Sequence, residues 1–507
     1  MVRNAFFIIA PLSLALAIAL GIWYPLYGCI ALLIVLPVVL LGYYDAFQKH
    51  HSILRNYPIL GHFRYILESI SPELQQYFIE RHTDGTPIPR NHRAIVYERS
   101  KDLSSTHPFG TELDLNQSRY EGFKHSIYPA PLLETPPRVK VGGKDCKKPY
   151  EASIYNISAM SFGALSKNAI MAMNGGAQLG GFYHNTGEGG LTKYHLEPGG
   201  DVVWQIGTGY FGCRTKEGGF DPDKFAEKAK HEQVKMIELK VSQGAKPGHG
   251  GVLPGEKNTE EIAAIRGVEP HTTVLSPPGH REFSDPEGLL KFLGRMRELS
   301  GGKPVGFKLC IGREEEFVAI CDAMKSSGIA PDFITVDGAE GGTGAAPLEF
   351  SDSVGMPLEP ALGFVDRTLR EHGLRSEIRI IASGKMVTAA SILKVLAQGA
   401  DFCNGARAFM MAVGCIQALR CDTNQCPTGI ATQNPSLMKA VVVDEKKKRV
   451  ANFHRNTVEA VLELMAACGA AKLDDLNPSM IIYGSDWHSE GSESSGSSAS
   501  LLGKPRN

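Results

Sequence analysis

Two long apolar runs open the chain. The first, AFFIIAPLSLALAIALGI, covers Ala5–Ile22, and the second, LYGCIALLIVLPVVLLGYY, covers Leu26–Tyr44. Each run is close to the ~20 residues that an α-helix needs to cross a bilayer, and the tripeptide WYP separates them. A secretory signal peptide is the alternative for the first run, but no small-residue cleavage site follows it and the second run begins at once. The pattern predicts a transmembrane helical hairpin over residues 1–44.

Basic residues flank this hairpin on both sides. Arg3 precedes the first run, while Lys49 and Arg55 follow the second. Because positive flanks stay on the cytoplasmic side of a membrane, both ends of the hairpin are expected in the cytoplasm. The sequence therefore predicts an inner (cytoplasmic) membrane protein whose remaining residues face the cytoplasm.

From Ser153 onwards the pattern changes to short apolar runs rich in β-branched residues, each ending in glycine or polar residues. The runs predicted as strands are IYNISAM, MIELKV, TTVLS, VGFKLC, FITVDG, IRIIASG and DFCNGA. Most precede a helical pattern, as at 166–179, 313–327 and 389–399. Repeated strand and helix units imply parallel strands, and seven or eight of them over ~250 residues match the size of a (β/α)8 TIM barrel. A doubly wound open sheet is the alternative.

These patterns divide the chain into four parts. The hairpin covers 1–44, and a linker and lead-in segment covers 45–137 and is predicted to hold two short helices, the second starting at Ser71 and Pro72. The barrel covers 138–484. The Ser/Gly-rich tail, 485–507, is predicted to be disordered.

Composition narrows the function classes. The 53 lysines and arginines balance 54 aspartates and glutamates, so no overall positive field would attract nucleic acid. Ten irregularly spaced cysteines do not resemble the disulfide framework of a secreted protein. We therefore expect reduced thiols and a locally defined binding site.

Glycine-rich segments follow three of the predicted strands. They are GAEGGTGAAP (338–347), which includes Gly341 and Gly342, ASGKM (382–386) and NGARA (404–408). Glycine allows backbone N–H groups to approach a ligand closely, and the last two strands of a barrel commonly hold a phosphate. Tight turns alone are the alternative. Two such ends on consecutive final strands favour a phosphate-bearing cofactor, and the absence of an early G-x-G-x-x-G argues against a Rossmann NAD site.

Charged side chains follow other strands. Lys240, Gln243 and Lys246 recur every three residues in KVSQGAKPGHGGVLPG, a spacing that suits a dianionic substrate, with a surface loop as the alternative. Lys308 ends the apolar strand VGFKL, so its side chain is expected to point into the barrel mouth or to pair with another charge.

Three cysteines cluster in GCIQALRCDTNQCPTG. Cys415, Cys421 and Cys426 form a C-x5-C-x4-C run followed by proline, which is typical of iron–sulfur ligation. Zinc would favour four ligands in C-x2-C pairs. Three ligands favour a three-iron cluster over a four-iron one, unless Cys403 or Cys468 joins them.

The order and spacing of six motifs resemble the FMN-binding synthase domain of glutamate synthase over Arg138–Asn434. The motifs are SAMSFGALS, NTGEGG, KVSQGAKPGHGGVLPG, LSPPGH, DGAEGGTGAAP and CDTNQCPTGIATQ. The resemblance implies an FMN-binding (β/α)8 barrel with a [3Fe–4S] cluster on the three cysteines. It implies synthesis of L-glutamate from 2-oxoglutarate and ammonia by hydride transfer from reduced FMN. Electrons would enter through the cluster from ferredoxin or another reductase subunit.

The resemblance also implies roles for single residues. The residues that match the 2-oxoglutarate pocket are Glu188, Gln243, Lys246 and Arg266, of which Lys246 and Arg266 would neutralise carboxylates and Glu188 would handle ammonia or a proton. Lys308 would stabilise negative charge on the flavin ring. The residues implied to line FMN or cradle its phosphate are Met160, Ser161, Gln205, Gly341, Gly342, Gly384, Gly405 and Ala406.

The chain departs from the family in three places. Val2 follows the initiator methionine where the family has the cysteine of a glutaminase domain, and residues 485–507 leave no room for the family's C-terminal β-helix. Tyr210 replaces an arginine. We expect nitrogen to arrive as free ammonia or from a separate glutaminase subunit. The alternatives are a related FMN enzyme that forms an N-substituted amino acid and a non-catalytic, membrane-anchored electron-transfer subunit.

Overall fold

A computed structural model describes residues 2–485 of the chain, which divides into two compact units, 1–85 and 86–507. Apart from residue 485, the tail predicted to be disordered lies outside the described residues.

The first unit is entirely helical. Its helices are Val2–Trp23, Pro25–Phe47, Ser52–Asn56, Gly61–Leu74 and a π-helical turn over Gln75–Ile79. The first two are long and apolar enough to cross a membrane. They approach closely at their connection, where a Cβ on Gly28 would lie 2.0 Å from Cα of Gly21. The predicted helix start at Ser71 and Pro72 is wrong, because both residues lie inside Gly61–Leu74.

The second unit is a closed eight-stranded parallel barrel, which confirms the predicted fold. Its strands are β1 (Tyr155–Ile157), β2 (Tyr183–Asn185), β3 (Asp201–Ile206), β4 (Val234–Lys240), β5 (Val305–Leu309), β6 (Phe333–Asp337), β7 (Arg379–Ser383) and β8 (Phe402–Gly405). Each strand pairs with the next, and β8 closes the barrel on β1, with Cys403 opposite Tyr155. The carboxyl ends of all eight strands therefore meet at one mouth.

One predicted strand lies outside the barrel. The run TTVLS contains only Val274–Leu275 in extended pairing, antiparallel to Val252–Leu253. In the barrel β4 pairs directly with β5, and the two strands that the apolar runs did not single out, β2 and β3, lie between β1 and β4. Two further antiparallel pairs join Arg138–Val141 to Tyr150–Ser153 and Glu121–Phe123 to Ile481–Tyr483.

Helices surround the barrel. The α-helices of the second unit are Arg90–Ser100, Lys167–Gly180, Lys193–Leu196, Pro222–Ala229, Glu260–Arg266, Pro286–Leu299, Glu314–Ser327, Leu348–Ser353, Leu358–Glu371, Ala389–Ala397, Arg407–Val413, Pro435–Met438 and Val443–Ala467, with 3-10 turns at Gly255–Lys257, Leu473–Asp475 and Pro478–Met480. The three helices predicted at 166–179, 313–327 and 389–399 are confirmed with small shifts at their ends. Ser166 caps the first of them by accepting a hydrogen bond from the Ala169 N–H, and Gly181 ends it in a left-handed conformation.

Candidate functional site

A cavity of about 460 Å³ opens at the carboxyl ends of the barrel strands. The predicted site residues that line it are Met160, Ser161, Glu188, Gln205, Gln243, Lys246, Lys308, Gly341, Gly342, Ala406, Cys415 and Cys421. A smaller adjoining cavity of about 40 Å³ is lined by Gly384 together with Lys308, Gly341, Gly342 and Ala406. The other predicted site residues, Arg266, Gly405 and Cys426, do not line either cavity. Segments far apart in sequence thus meet around one space.

Glu188 is a carboxylate at the wall of the large cavity. Its Oε1 lies 2.8 Å from Nζ of Lys240, at the end of β4. Burial raises the pKa of Glu188, but the ion pair and hydrogen bond with Lys240, helped by Lys246 and Arg266, outweigh it and leave the pKa below its ordinary value. Within residues 2–485, Oε2 of Glu188 has no hydrogen-bond partner. Glu188 is therefore an ionised carboxylate with one buried oxygen that no described residue satisfies.

Two glycines make room for this carboxylate. A Cβ on Gly251 would lie 2.5 Å from Oε1 of Glu188, and a Cβ on Gly207 would lie 2.6 Å from Oε2. Neither distance is possible for a real side chain without displacing Glu188. Glycine at both positions therefore sets the position of Glu188.

Lys240 is the last residue of β4, and Gln243 and Lys246 lie in the loop that follows it. Nζ of Lys240 donates to Oε1 of Gln243 at 2.7 Å, and Nζ of Lys246 donates to the Ala345 carbonyl at 2.6 Å. Burial and the neighbouring Lys240 lower the pKa of Lys246 to about 8, against the opposing effect of Glu188. A cation with a single carbonyl partner on the cavity wall is suited to bind a carboxylate.

Arg266 supports the wall from behind. Its guanidinium donates to the Phe162 carbonyl at 3.2 Å and lies 5.0 Å from the centre of the Phe211 ring. It also lies under two glycines, since a Cβ on Gly163 or Gly189 would come within 3.0 or 3.2 Å of Nη2. Burial lowers the pKa of Arg266 to about 10, so the group stays charged at neutral pH.

A second ion pair lies between the two cavities. Nζ of Lys308, in β5, lies 3.1 Å from Oδ2 of Asp337 at the end of β6. Burial lowers the pKa of Lys308, but Asp337 and Glu238 raise it to a net value above the ordinary one. The same Asp337 oxygen accepts the Gly244 N–H at 2.8 Å, which joins the loop after β4 to the pair. Lys308 is therefore a fixed positive charge at the cavity wall.

A buried carboxylate that the sequence motifs did not point to, Glu238 in β4, lies inside the barrel. Its Oε1 accepts hydrogen bonds from the amides of Gln205 (2.7 Å) and Asn185 (2.8 Å), and its Oε2 accepts from the Thr335 hydroxyl at 2.6 Å. Three donors from β2, β3 and β6 satisfy the charge. This network fixes the Gln205 side chain at the floor of the cavity. The available signal was a charged residue within an apolar strand.

The smaller cavity carries two cations from the glycine-rich motifs ASGKM and NGARA that were not predicted as site residues. Lys385 and Arg407 line it beside Gly384 and Ala406. Arg407 Nη2 donates to the Glu340 carbonyl at 2.7 Å, and a Cβ on Gly342 would lie 2.9 Å from Nε of Arg407. Gly384 has a φ of +151°, which side chains rarely adopt.

At Gly405, close packing against Tyr155 leaves no room for a side chain. A Cβ there would lie 2.4 Å from the hydroxyl of Tyr155, which donates to the Met386 carbonyl at 2.9 Å. Its lack of a side chain therefore keeps β8 against Tyr155 and the chain segment after β7.

These observations fit FMN. Two cations and glycines at the small cavity match a phosphate, and the Lys308 cation at the junction with the large cavity matches the electron-rich part of the ring. The residues suited to hold the phosphate end are Gly384, Lys385, Ala406 and Arg407.

The three cysteines of the C-x5-C-x4-C run lie in one loop after Arg407–Val413. Cys415 and Cys421 line the large cavity, and Cys426 is buried behind them. Among residues 2–485, no group of three or more His, Cys, Asp or Glu side chains is arranged to hold a metal ion. Although burial raises the pKa of Cys426, hydrogen bonds from Thr428, Ala431 and Ile430 lower it to a net value below its ordinary one. The donor set, three thiols of which one is favoured as thiolate, fits an iron–sulfur cluster chemically.

Three side chains tie this loop to its surroundings. The hydroxyl of Tyr97, in Arg90–Ser100, donates to the Cys415 carbonyl at 2.8 Å. The Gln417 amide accepts the Ile88 N–H at 3.2 Å and donates to the Ile88 carbonyl at 3.3 Å. Nζ of the buried Lys257 donates to three carbonyls, those of Ala164 (2.5 Å), Cys421 (3.0 Å) and Ala431 (3.2 Å). The lead-in segment and Lys257 thus fix the cysteine loop.

Tyr210, the departure from the family pattern, belongs to the core. It is fully buried, and its ring packs against Phe220, His280 and Phe292. Burial lowers the pKa of His280 to about 4, so the ring is neutral. Because Nε2 of His280 lies 2.9 Å from the Lys240 carbonyl and must donate to it, Nδ1 accepts from the Tyr210 hydroxyl at 3.0 Å. Tyr210 thus holds the end of β4 through His280 and contributes no group to the cavity wall that the structure describes.

The chain is similar to known proteins over the barrel and, in one relative, over most of its length. Residues 138–471 match the model of the conserved region in glutamate synthase. The chain is 40% identical over 495 residues to the glutamate synthase large subunit-like protein YerD of Bacillus subtilis, covering 89% of this chain and 94% of that protein. It is 37% identical over 321 residues to the archaeal glutamate synthase [NADPH] of Methanocaldococcus jannaschii, covering 63% of this chain and 60% of that relative. A solved structure of a flavocytochrome b2 mutant with pyruvate bound has a TM-score of 0.42 and 12% identity, covering 90% of this chain and 91% of that one.

Proposed function

The chain belongs to the glutamate synthase family, and we propose that it is an oxidoreductase that forms L-glutamate from 2-oxoglutarate and ammonia with FMN as its cofactor. The observation that carries the proposal is the meeting of Glu188, Lys246 and Lys308 around one cavity at the barrel mouth. An anion and two cations at the wall of one cavity support the proposal, because a keto acid and a flavin ring would each need a cation there.

The cationic residues bind the keto acid. Lys246 takes one carboxylate, since its ammonium group has a single carbonyl partner in this cavity. Gln243 is held by Lys240 and offers its amide N–H₂ to the other polar end. Arg266 supports this pocket through the Phe162 carbonyl and through its effect on Glu188.

Glu188 binds and deprotonates the ammonium ion. Its unpartnered Oε2 is an acceptor for an ammonium N–H, and an ionised carboxylate takes the proton that converts ammonium into the nucleophilic ammonia. Condensation with the keto group releases water and leaves an imine at C2 of the acid. Lys240 keeps the carboxylate in place throughout.

The flavin site supplies the reducing equivalents. FMN bound there would supply the hydride that reduces the imine carbon. Lys308 binds the ring and neutralises negative charge there, while Lys385 and Arg407 bind the phosphate. The residues that would line the flavin ring are Met160, Ser161, Gln205, Gly341 and Gly342.

Cys415, Cys421 and Cys426 are proposed to ligate a [3Fe–4S] cluster that passes electrons from ferredoxin or another reductase subunit. The lining of the large cavity by two of these thiols supports this role, because a cluster there would lie next to the flavin site.

Anchoring to the inner membrane is part of the proposal. Val2–Trp23 and Pro25–Phe47 are long and apolar, and most of their large side chains are exposed, which a bilayer would cover. The basic residues on both sides of the hairpin support a cytoplasmic position for the barrel.

The test is turnover by the purified full-length protein. We expect glutamate from 2-oxoglutarate and ammonium with reduced ferredoxin as donor. We expect a large loss of turnover in Lys246→Ala but not in Lys193→Ala, a control at an exposed lysine. Preferential formation of N-methylglutamate when methylamine competes would favour the N-substituted alternative. Flavin-loaded protein that turns over neither amine would contradict the enzymatic proposal.

A further inference from the structure

The helix Gly61–Leu74, in the first unit, has an apolar face that covers one side. This face consists of Phe63, Ile66, Leu67, Ile70 and Leu74, whose spacing of three and four residues places them on one stripe. All five side chains are exposed, with Phe63 62% and Leu67 57% accessible. A stripe of this size in water would be costly, so it marks an interaction surface.

The opposite face is polar and nearly neutral. Arg64 and Glu68 form an ion pair of 2.7 Å one turn apart, and Ser69 lies on the same side. Glu73 is the one further carboxylate of this helix. An apolar face without a strongly basic partner face favours insertion by hydrophobic burial over attraction to anionic headgroups.

The start of this helix is fixed to the base of the helical hairpin. The buried carboxylate of Asp45, near the end of Pro25–Phe47, accepts the Ile59 N–H at 3.0 Å and a hydrogen bond from Nε2 of His62 at 2.9 Å. Ile59 also packs against the hairpin, because a Cβ on Gly42 would lie 3.0 Å from its Cδ1. The other hairpin helix joins at the same level, where Arg3 donates to the Ala46 carbonyl.

We propose that Gly61–Leu74 is an interfacial helix whose apolar face lies in the surface of the lipid bilayer that the hairpin crosses. The proposal rests on the membrane anchoring proposed above. Asp45 lies near the end of a membrane span, and its hydrogen bonds to Ile59 and His62 hold the start of the helix there. A short connection of 13 residues between Phe47 and Gly61 keeps the helix near the membrane–water boundary. The bilayer is the partner whose chemistry, apolar just below a polar surface, matches both faces.

The test measures depth in the full-length protein reconstituted into phosphatidylcholine vesicles. A fluorescent amino acid, introduced by stop-codon suppression so that the ten native cysteines stay unchanged, replaces Leu67 on the apolar face, Ser69 on the polar face or Leu16 in the hairpin. Quenchers are nitroxide lipids labelled near the headgroup, nitroxide lipids labelled near the chain end, and aqueous iodide.

We expect shallow nitroxides to quench the label at position 67 several-fold more than the label at position 69, with the reverse order for iodide. Replacing phosphatidylcholine in part by phosphatidylglycerol should leave this pattern unchanged, because the polar face carries little net charge. Ile70→Ser with Leu74→Ser should return the position-67 label towards the aqueous value, while the Leu16 label stays deep.

The outcomes separate the two proposals. A Leu16 label that deep nitroxides do not quench would contradict the membrane hairpin itself. A deep Leu16 label together with a position-67 label open to iodide would overturn the interfacial helix alone. Protection of position 67 from both lipid and iodide would also overturn it, since a protein surface would then cover the face.

Discussion

Nζ of Lys240 lies 2.8 Å from Oε1 of Glu188 at the barrel mouth, where Lys240 is buried and Glu188 is half-buried. The pair joins the loop after β2 to the end of β4, two strands that are not neighbours in the barrel. It holds the carboxylate ionised and leaves Oε2 without a partner, so a change that moves Glu188 should affect chemistry before it affects folding.

Gly251→Ala tests this relationship. The new Cβ would lie 2.5 Å from Oε1 of Glu188, so the carboxylate must swing away from Lys240. Losing a charge-assisted hydrogen bond is worth ~1.5–3 kcal/mol, so we expect glutamate formation to fall roughly ten- to a hundredfold with flavin content unchanged. Steady-state turnover and flavin absorbance measure the two quantities.

Gly279→Ala is the matched control, because a Cβ there meets no atom within 4 Å. Equal turnover in the two alanine variants would show that the position of Glu188 does not matter for the reaction.

The lowered pKa of Lys246 predicts that substrate binding and turnover depend on pH. Because burial lowers its pKa to about 8, the free enzyme loses this cation as the pH rises through about 8. The ratio kcat/KM for 2-oxoglutarate should then fall up to tenfold per pH unit above that value. Lys246→Arg, which stays protonated, should lower this slope, and an identical slope in the arginine variant would assign it to another group.

The lowered pKa of Lys246 has the opposite effect on stability, which should increase as the pH rises. The pKa of Lys246 is lower in the folded state than its ordinary value of 10.5, so the unfolded state binds more protons between about 8 and 10.5. Through this group alone, the free energy of unfolding should therefore rise with pH across that window. Urea unfolding of the wild type and of Lys246→Met compares the two slopes, and the methionine variant should show the smaller rise.

Cys421→Ser should remove the iron without removing the flavin. Cys421 lies in the loop after Arg407–Val413, whereas Gly384 and Lys385 of the phosphate site follow β7. We expect iron per protein to fall sharply while flavin per protein stays near the wild-type value. Cys468→Ser, at the end of Val443–Ala467, is the control and should keep its iron. Loss of iron in both variants would bring Cys468 into the ligand set.

The sequence predicted the barrel because apolar runs record which residues are buried, and seven of them recur at the spacing of strand and helix units. The run TTVLS was misassigned because an apolar β-branched run shows that a segment is extended but not which strand it pairs with. Val274–Leu275 pairs only with Val252–Leu253. In contrast, β2 has three residues, and two of them, Tyr183 and Asn185, hydrogen-bond to Asn404 and Glu238 inside the barrel, so it carries little apolar signal.

The sequence predicted individual charged residues of the site but not which of them are in contact. Lys308 was singled out because a charge within an apolar strand needs a partner, but that partner, Asp337, and the buried Glu238 carry the same signal in their own strands. Which charges meet depends on the register between β4, β5 and β6, and a linear pattern does not encode this register. Likewise, Tyr210 differs from the family, yet only its contact with His280 shows that it serves the core.

Lys257 is buried and donates hydrogen bonds to the carbonyls of Ala164, Cys421 and Ala431. Methionine has a similar length but no donor, so Lys257→Met leaves up to three carbonyls unsatisfied at about 1–3 kcal/mol each. The loop of Cys421 then loses its attachment to the segment after β1. We expect both a lower Tm and less iron per folded protein.

Lys303→Met separates loop positioning from general destabilisation. Lys303 is also buried, and its Nζ donates to the carbonyls of Ala229 (2.5 Å) and His231 (2.7 Å), just before β5 and so away from the barrel mouth. This variant should lower Tm to a similar degree but keep its iron, because its carbonyl partners lie far in the chain from the cysteine loop. Equal iron loss per folded protein in the two variants would mean that the cluster responds to stability in general, and Lys257 would then have no particular role in holding the cysteine loop.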